Sequence, residues 1–261
     1  MHGARGHTLL PWPNRLQDGA YEFDAQRLQL PLTEPETGNA IHGLVRWVNW
    51  TVAERGEHRV VMAHSLRPGP GYPFALEVFN EYSLGDGGLI VATTVHNVGD
   101  RACPYGTGAH PYVTVGTERI DCATLHVPAA RSLISDERQI PVGRRALTGT
   151  AEDFSRPRRI GQTGLDTCYA GLTRDGEGRA RVVLSAPDGG PRVTVWMDRA
   201  HDHVMVFTGD SLSEQTGRRR GLAVEPMTCA PNAFRSGDGL RRLEAGASFT
   251  SRWGIEYEPR A

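Results

Sequence analysis

The sequence predicts an all-β protein built from many short strands. Apolar and polar residues alternate in successive segments, most clearly over residues 74–84, where Phe74, Leu76, Val78 and Tyr82 fall on one face and Glu77 and Glu81 on the other. That period of two belongs to a strand with one buried face. Glycine, proline and aspartate punctuate these segments, and no stretch long enough for a stable helix shows a helical apolar period. There is neither an internal repeat nor a shift in composition, so residues 1–261 read as a single domain.

Residues 9–14, LLPWPN, carry two prolines around Trp12, which excludes a helix or a central strand and predicts a loop that pins an aromatic ring. Residues 21–32 alternate on both sides of Asp24-Ala25 and read as a hairpin. A turn-rich connection over residues 34–38 leads into residues 39–50, where His42 precedes Gly43, and Trp47 and Trp50 follow. A glycine beside a histidine lets another group approach the backbone closely, which suits the wall of a ligand site. A core histidine packed beside tryptophans fits the same residues.

Strand patterns recur over residues 59–64, 74–84 and 89–98, the last two joined by the Asp86-Gly87-Gly88 turn, so this part of the sheet is expected to be antiparallel. Residues 124–127 read as a further short strand. Residues 144–159 are polar, irregular and rich in arginine, and read as a long surface loop. Residues 164–172 form an apolar strand opened by Asp166, a position where aspartate ordinarily caps a turn. Residues 179–187, 192–198, 203–208 and 247–257 complete the strands. His201 and His203 have the spacing that puts both on one face of a strand and would make half of a metal site; solvated loop histidines are the plainer reading, and no metal is expected.

Composition excludes several functions. A formal charge of −1 leaves no electrostatic footprint for nucleic acid or an anionic membrane. All 29 basic residues are arginine, so Schiff-base chemistry, pyridoxal phosphate anchoring and the phosphate-loop lysine are unavailable to this chain. Cys103, Cys122, Cys168 and Cys229 are far apart in sequence, which suggests reduced thiols and not a zinc site or a disulfide framework. With no secretory signal pattern and no apolar run of membrane-spanning length, a soluble cytoplasmic protein is expected, monomeric or homodimeric, without nucleic acid or membrane partners.

Two segments carry chemistry. Residues 221–234, GLAVEPMTCAPNAF, place Glu225 directly before Pro226, whose ring disfavours a helical conformation for the residue preceding it. Residues 105–112, YGTGAHPY, do the same for His110 before Pro111. A carboxyl with an ordinary pKa near about 4.3 and an imidazole near about 6.5 can serve as base and acid at neutral pH. Glu225 taken alone is equally consistent with a solvated residue at a strand end.

With these segments the chain resembles the aldose 1-epimerases, or galactose mutarotases. The resemblance runs through residues 10–50, 96–112, 164–169 and 224–234, and its most specific pieces are H-P-Y and E-P-M-T-x-x-P-N-A-F. It implies a β-supersandwich and the interconversion of α and β anomers of a hexose by ring opening and closure. It further implies that Glu225 takes the proton of the anomeric hydroxyl and His110 protonates the ring oxygen, while Arg15, His42 and Asp166 hold hydroxyls. Trp47 is a further candidate for sugar contact, and no cofactor is required. Family members normally carry more strands before the arginine-bearing loop, so either the start lies further upstream or a sheet edge is left uncovered here. Two other readings stay open: a glycoside hydrolase with Glu225 and Asp166 as its carboxylate pair, and a non-catalytic sugar-binding module that keeps Arg15, Trp47 and Asp166 but has no need of both His110 and Glu225.

Overall fold

The computed structural model describes residues 3–259, which form two antiparallel sheets and three two-stranded ribbons. The nine-stranded sheet runs in the order Arg158–Arg159, Thr124–His126, Ala180–Ser185, Arg192–Met197, Ser248–Glu258, Gly88–Asn97, Leu76–Gly85, Arg59–Leu66 and Thr51–Arg55. The eight-stranded sheet runs Thr8–Leu9, Gly108–Ala109, Leu222–Met227, His203–Phe207, Asp166–Leu172, Ala129–Ser135 and Pro141–Ala146, with Tyr112–Val113 also paired to Leu222–Met227. Alternate residues of the two sheets meet in one core, Val204, Val206, Leu222 and Val224 from one against Val91, Leu184, Val193 and Val195 from the other. This is the interdigitation expected of stacked sheets. Helix is confined, among the described residues, to Ala233–Ser236 and a 3-10 turn at Ile120–Cys122, and no helix is long and apolar enough to cross a membrane.

The expected hairpin is present as Ala20–Phe23 and Gln26–Gln29. Asp24 and Ala25 have φ of 48° and 59°, the left-handed pair a two-residue turn needs to match strand twist. A second cluster packs Trp12, Tyr21, Tyr72, Phe74 and Phe234 under the N-terminal segments. Trp12 and Tyr21 lie 5.6 and 4.9 Å from the Phe234 ring, so the pinned tryptophan is pinned by the last residue of the P-N-A-F piece.

One segment departs from its sequence reading. Residues 144–159 are not a surface loop throughout: Pro141–Ala146 pairs with Ala129–Ser135, with Arg144 opposite Leu133, and Leu147 and Phe154 are buried. The strand is polar because it is the sheet's last, with backbone pairing on one side and little apolar surface to cover. At the opposite end, the sheet closes on the two-residue strand Thr8–Leu9 followed by a bridge from Leu10 to Gly43, so that edge is short.

Candidate active site

Glu225 lies within Leu222–Met227, where register sets its neighbours. Gly108 opposes Met227 and Tyr112 opposes Ala223, so counting inward from either pair brings His110 opposite Glu225. Opposed residues of an antiparallel ladder project from the same face. His110 Nε2 accordingly stands 3.1 Å from Glu225 Oε1. Leu222 and Val224 point into the core between the sheets, so Glu225 points away from it, beside Met205 and in the same row as Cys168.

Two further segments close over this row. A Cβ on Gly108 would come within 2.8 Å of the Pro226 carbonyl oxygen and 3.0 Å of Pro13 Cβ, so only glycine lets the three motif segments meet. Gly43, at φ 71°, is tighter still, because its neighbour Leu44 donates its N–H to Leu10 O at 2.7 Å. His42 is clasped by Asn14, whose N–H donates to His42 Nδ1 at 3.3 Å and whose carbonyl accepts the His42 N–H at 2.9 Å. Arg15 follows and donates through Nε and Nη2 to both oxygens of Glu34, at 2.7 and 2.8 Å, the bidentate geometry that fixes a guanidinium. Behind it the Asn232 N–H donates to Arg15 O at 2.6 Å, and Asn232 Oδ1 accepts the Gln17 N–H at 3.1 Å. The P-N-A-F piece is thus the mount for the arginine-bearing strand.

His42, His110 and Glu225 bring donor atoms within 4.8 Å of one another, all on buried side chains. The His110 ring meets that of His42 edge-on at 5.3 Å and stacks on Tyr112 at 5.3 Å. Burial lifts the Glu225 carboxyl well above its ordinary range; the Asp166 charge adds to this and Arg15 opposes it. Burial also lowers His110 to about 3, with the charges of His7 and Arg46 acting in the same direction, and holds His42 well below its ordinary value. Both shifts favour the uncharged form of each group, so that the pair tends to hold one titrating proton between them. Glu225 Oε2 and His110 Nδ1 have no hydrogen-bond partner among the described residues.

Asp166 opens Asp166–Leu172, as its sequence position suggests, and lies opposite Phe207. Its residue surface is exposed, but the protein crowded around the carboxyl raises its pKa by desolvation, and the Arg15 charge lowers it. A cavity of about 250 Å³ opens beside the pair, lined by Glu34, His42, Arg46, His110, Tyr112 and Phe207 among others. Of the sequence-predicted site residues, His42 and His110 line it, whereas Arg15, Asp166 and Glu225 lie outside its wall. Trp47 does not join it. Its ring is 68% exposed, edge-on to His7 at 5.0 Å with the Arg46 guanidinium 5.4 Å away, and it lines a neighbouring pocket that shares Arg46 with the cavity.

The sequence pattern described as aldose 1-epimerase matches residues 2–256. The chain belongs to the aldose 1-epimerase family. A relative from Escherichia coli K12, uncharacterized protein YihR, is 34% identical over 242 residues, covering 92% of this chain and 75% of that protein. Among solved structures, the GalM/aldose epimerase homologue from C. elegans matches with a TM-score of 0.88 at 15% identity, over 100% of this chain and 84% of that one. Galactose 1-epimerase from Lactobacillus acidophilus NCFM matches with a TM-score of 0.83 at 21% identity, over 100% and 82%. These two likenesses establish the shared fold.

The aldose 1-epimerase fold also recruits residues to which sequence reasoning gave no role: Asn14, Glu34, Arg46, Tyr112 and Asn232. Tyr112 and Asn232 stood inside motifs already singled out, whereas Glu34 and Arg46 reach the site only through tertiary packing. His42, His110 and Glu225 are of the donor types zinc takes, although two of them already contact each other. His201 and His203 are neither solvated nor together on a strand face. His201 precedes the strand, and its Nδ1 lies 2.8 Å from Asp198 Oδ1; His203 is buried 3.6 Å from Asp238 Oδ2.

Proposed function

We propose that residues 1–261 act as one domain that interconverts the α and β anomers of an aldohexose by acid/base-catalysed ring opening and closure. The observation that carries this reading is the pair Glu225 and His110, two buried groups 3.1 Å apart that hold one titrating proton between them beside a cavity of about 250 Å³. Glu225 takes the proton of the anomeric hydroxyl. The electrons left on that oxygen form the carbonyl at C1, the bond from C1 to the ring oxygen breaks, and His110 gives its proton to the ring oxygen. Rotation about the C1–C2 bond presents the other carbonyl face, and the same steps in reverse close the ring. No net proton or redox equivalent is consumed.

The shared proton passes between Oε1 and Nε2 along their direct contact, so Glu225 can present an anion while His110 presents a proton. Arg15, braced by Glu34, together with His42 and Asp166, holds hydroxyls. Arg15 Nη1 is unspent among the described residues, and Asn14 occupies His42 Nδ1, which leaves Nε2 for a ligand. Hydrolysis by Glu225 and Asp166 is less well supported. The direct 3.1 Å contact of Glu225 is with His110, a pairing that ring opening uses and a two-carboxylate hydrolysis does not require.

The test is the rate of mutarotation for His110→Gln, Glu225→Gln and the double mutant. Each single change should cost about 10²–10⁴-fold, and the double mutant should be little worse than the worse single one, because both proton movements belong to one passage. Near-wild-type turnover in either single mutant would remove the mechanism.

A further inference from the structure

His110 spends its backbone groups on residues 6 and 7, away from the strand that carries Glu225. Its N–H donates to His7 O at 3.0 Å, and its carbonyl accepts the Gly6 N–H at 2.9 Å. The pairing continues with Thr8 opposite Ala109 and Leu9 opposite Gly108. On the Glu225 side Pro111 has no N–H to give, and its carbonyl accepts the Val224 N–H at 3.1 Å. The place of the His110 ring relative to Glu225 therefore depends on what holds residues 6–9.

That segment lies over a cavity of about 410 Å³ between the two sheets, lined by Thr8, Tyr82, Thr93, Ala109, His110 and Trp253 among others. A hydrogen bond crosses to the opposite sheet: Asn80 Nδ2 donates to Thr8 Oγ1 at 2.7 Å. Asn80 belongs to Leu76–Gly85 and is 1% exposed, two residues along the same face from the core residue Val78. Opposite it, the Thr93 hydroxyl donates to Asn80 Oδ1 at 2.8 Å, so each end of the amide has a partner and its orientation is set. A buried amide costs free energy unless it is satisfied in this way, and leucine would occupy the place without that cost. What the amide adds is direction. Apolar contact is non-directional, whereas a short hydrogen bond fixes Thr8 at one distance and angle.

We propose that Asn80 is a positioning residue for the anomer exchange. It acts through Thr8, fixing the segment to which the His110 backbone is bonded, and so keeps His110 Nε2 3.1 Å from Glu225 Oε1. This rests on the epimerase reading and adds to it a residue on the opposite sheet.

Thr8→Val keeps the shape of the side chain and deletes the acceptor, Asn80→Leu deletes the donor, and Thr8→Ser retains the hydroxyl. Polarimetry on glucose and galactose gives kcat and KM for each variant, alone and combined with His110→Gln. NMR of the histidine ring nitrogens reports on His110 independently of turnover. Misplacing a reacting group by about 1 Å costs about 10²-fold, so Thr8→Val and Asn80→Leu should each lower kcat by about 10- to 100-fold with KM little changed. Thr8→Ser should keep the wild-type kcat. Because the effect passes through His110, neither change should further lower the residual rate of His110→Gln. The His110 ring signals, identified by their loss in His110→Gln, should move in Thr8→Val and Asn80→Leu and stay in place in Thr8→Ser. Thr8→Val, the smaller change, carries the test if Asn80→Leu does not fold. Wild-type kcat in Thr8→Val, equal losses in Thr8→Val and Thr8→Ser, or losses that multiply with that of His110→Gln would overturn the positioning role while the epimerase reading stands. If the wild type accelerates no anomer exchange, the epimerase reading fails and the ring signals alone decide whether Asn80 holds His110; unmoved signals in Thr8→Val would then overturn that too.

Discussion

Replacing Gly43 by alanine should disable the site without touching any residue that meets substrate. A Cβ at this position would stand 2.0 Å from the Leu10 carbonyl oxygen, where ordinary contact begins at 3.4 Å, so the two backbones must part by about 1.4 Å. Their contact holds His42 on one side and the loop leading to Asn14 and Arg15 on the other. Misplacement by about 1 Å costs a positioned catalytic group on the order of 10²-fold, so kcat/KM for mutarotation should fall at least that far. The left-handed φ of 71° adds about 1–2 kcal/mol of strain for alanine, which at roughly 2–4 °C per kcal/mol lowers the thermal midpoint by about 2–8 °C. Polarimetry gives the rate, and thermal unfolding by circular dichroism shows whether the fold survives. Gly43→Asn tolerates the left-handed backbone better but keeps the clash, and should lose a similar amount of rate with less loss of stability. A folded Gly43→Ala protein with wild-type turnover would refute the idea that this contact sets the spacing of His42 and Arg15.

Two other outcomes follow from the same geometry. With His110 lowered to about 3, its imidazole gains no second proton as pH falls through 6.5, so kcat/KM should show no acid limb centred there from this residue; such a limb, absent in His110→Gln, would contradict the depressed imidazole. The depressed His110 also contributes stability that is full above 6.5 and is lost as pH falls toward about 3. His110→Gln, which cannot titrate, should therefore lose less of its thermal midpoint between pH 7 and pH 4 than the wild type does. At Asn232, held at φ 64° while its side chain accepts the Gln17 N–H, Asn232→Gly should cost about 1 kcal/mol for the lost hydrogen bond and Asn232→Ala about 1–2 kcal/mol more. Equal unfolding midpoints for the two variants would show that the left-handed backbone carries no strain there.

Much of this protein was legible in its sequence because the signals are local. Alternation, turn glycines and the Asp24-Ala25 and Asp86-Gly87 turns depend on neighbours in the chain, and the hairpins formed where these residues stand. Pro226 held Glu225 in an extended strand for the same reason. Residues 144–146 carry no strand signal in the sequence because an edge strand is made by backbone pairing and needs no apolar pattern. What the tertiary structure alone decided is who meets whom. The sum of two registers put His110 opposite Glu225, and burial between the N-terminal loops and the sheet then moved both pKa values in directions that neither residue's type would suggest. Glu34 stands 19 residues from Arg15 and Asn232 stands 215 from Gln17, so no local rule could pair them. Trp47 and Arg46 exchanged roles for the same reason: they are adjacent in the chain, but only packing determines that the ring faces solvent and the guanidinium faces the cavity.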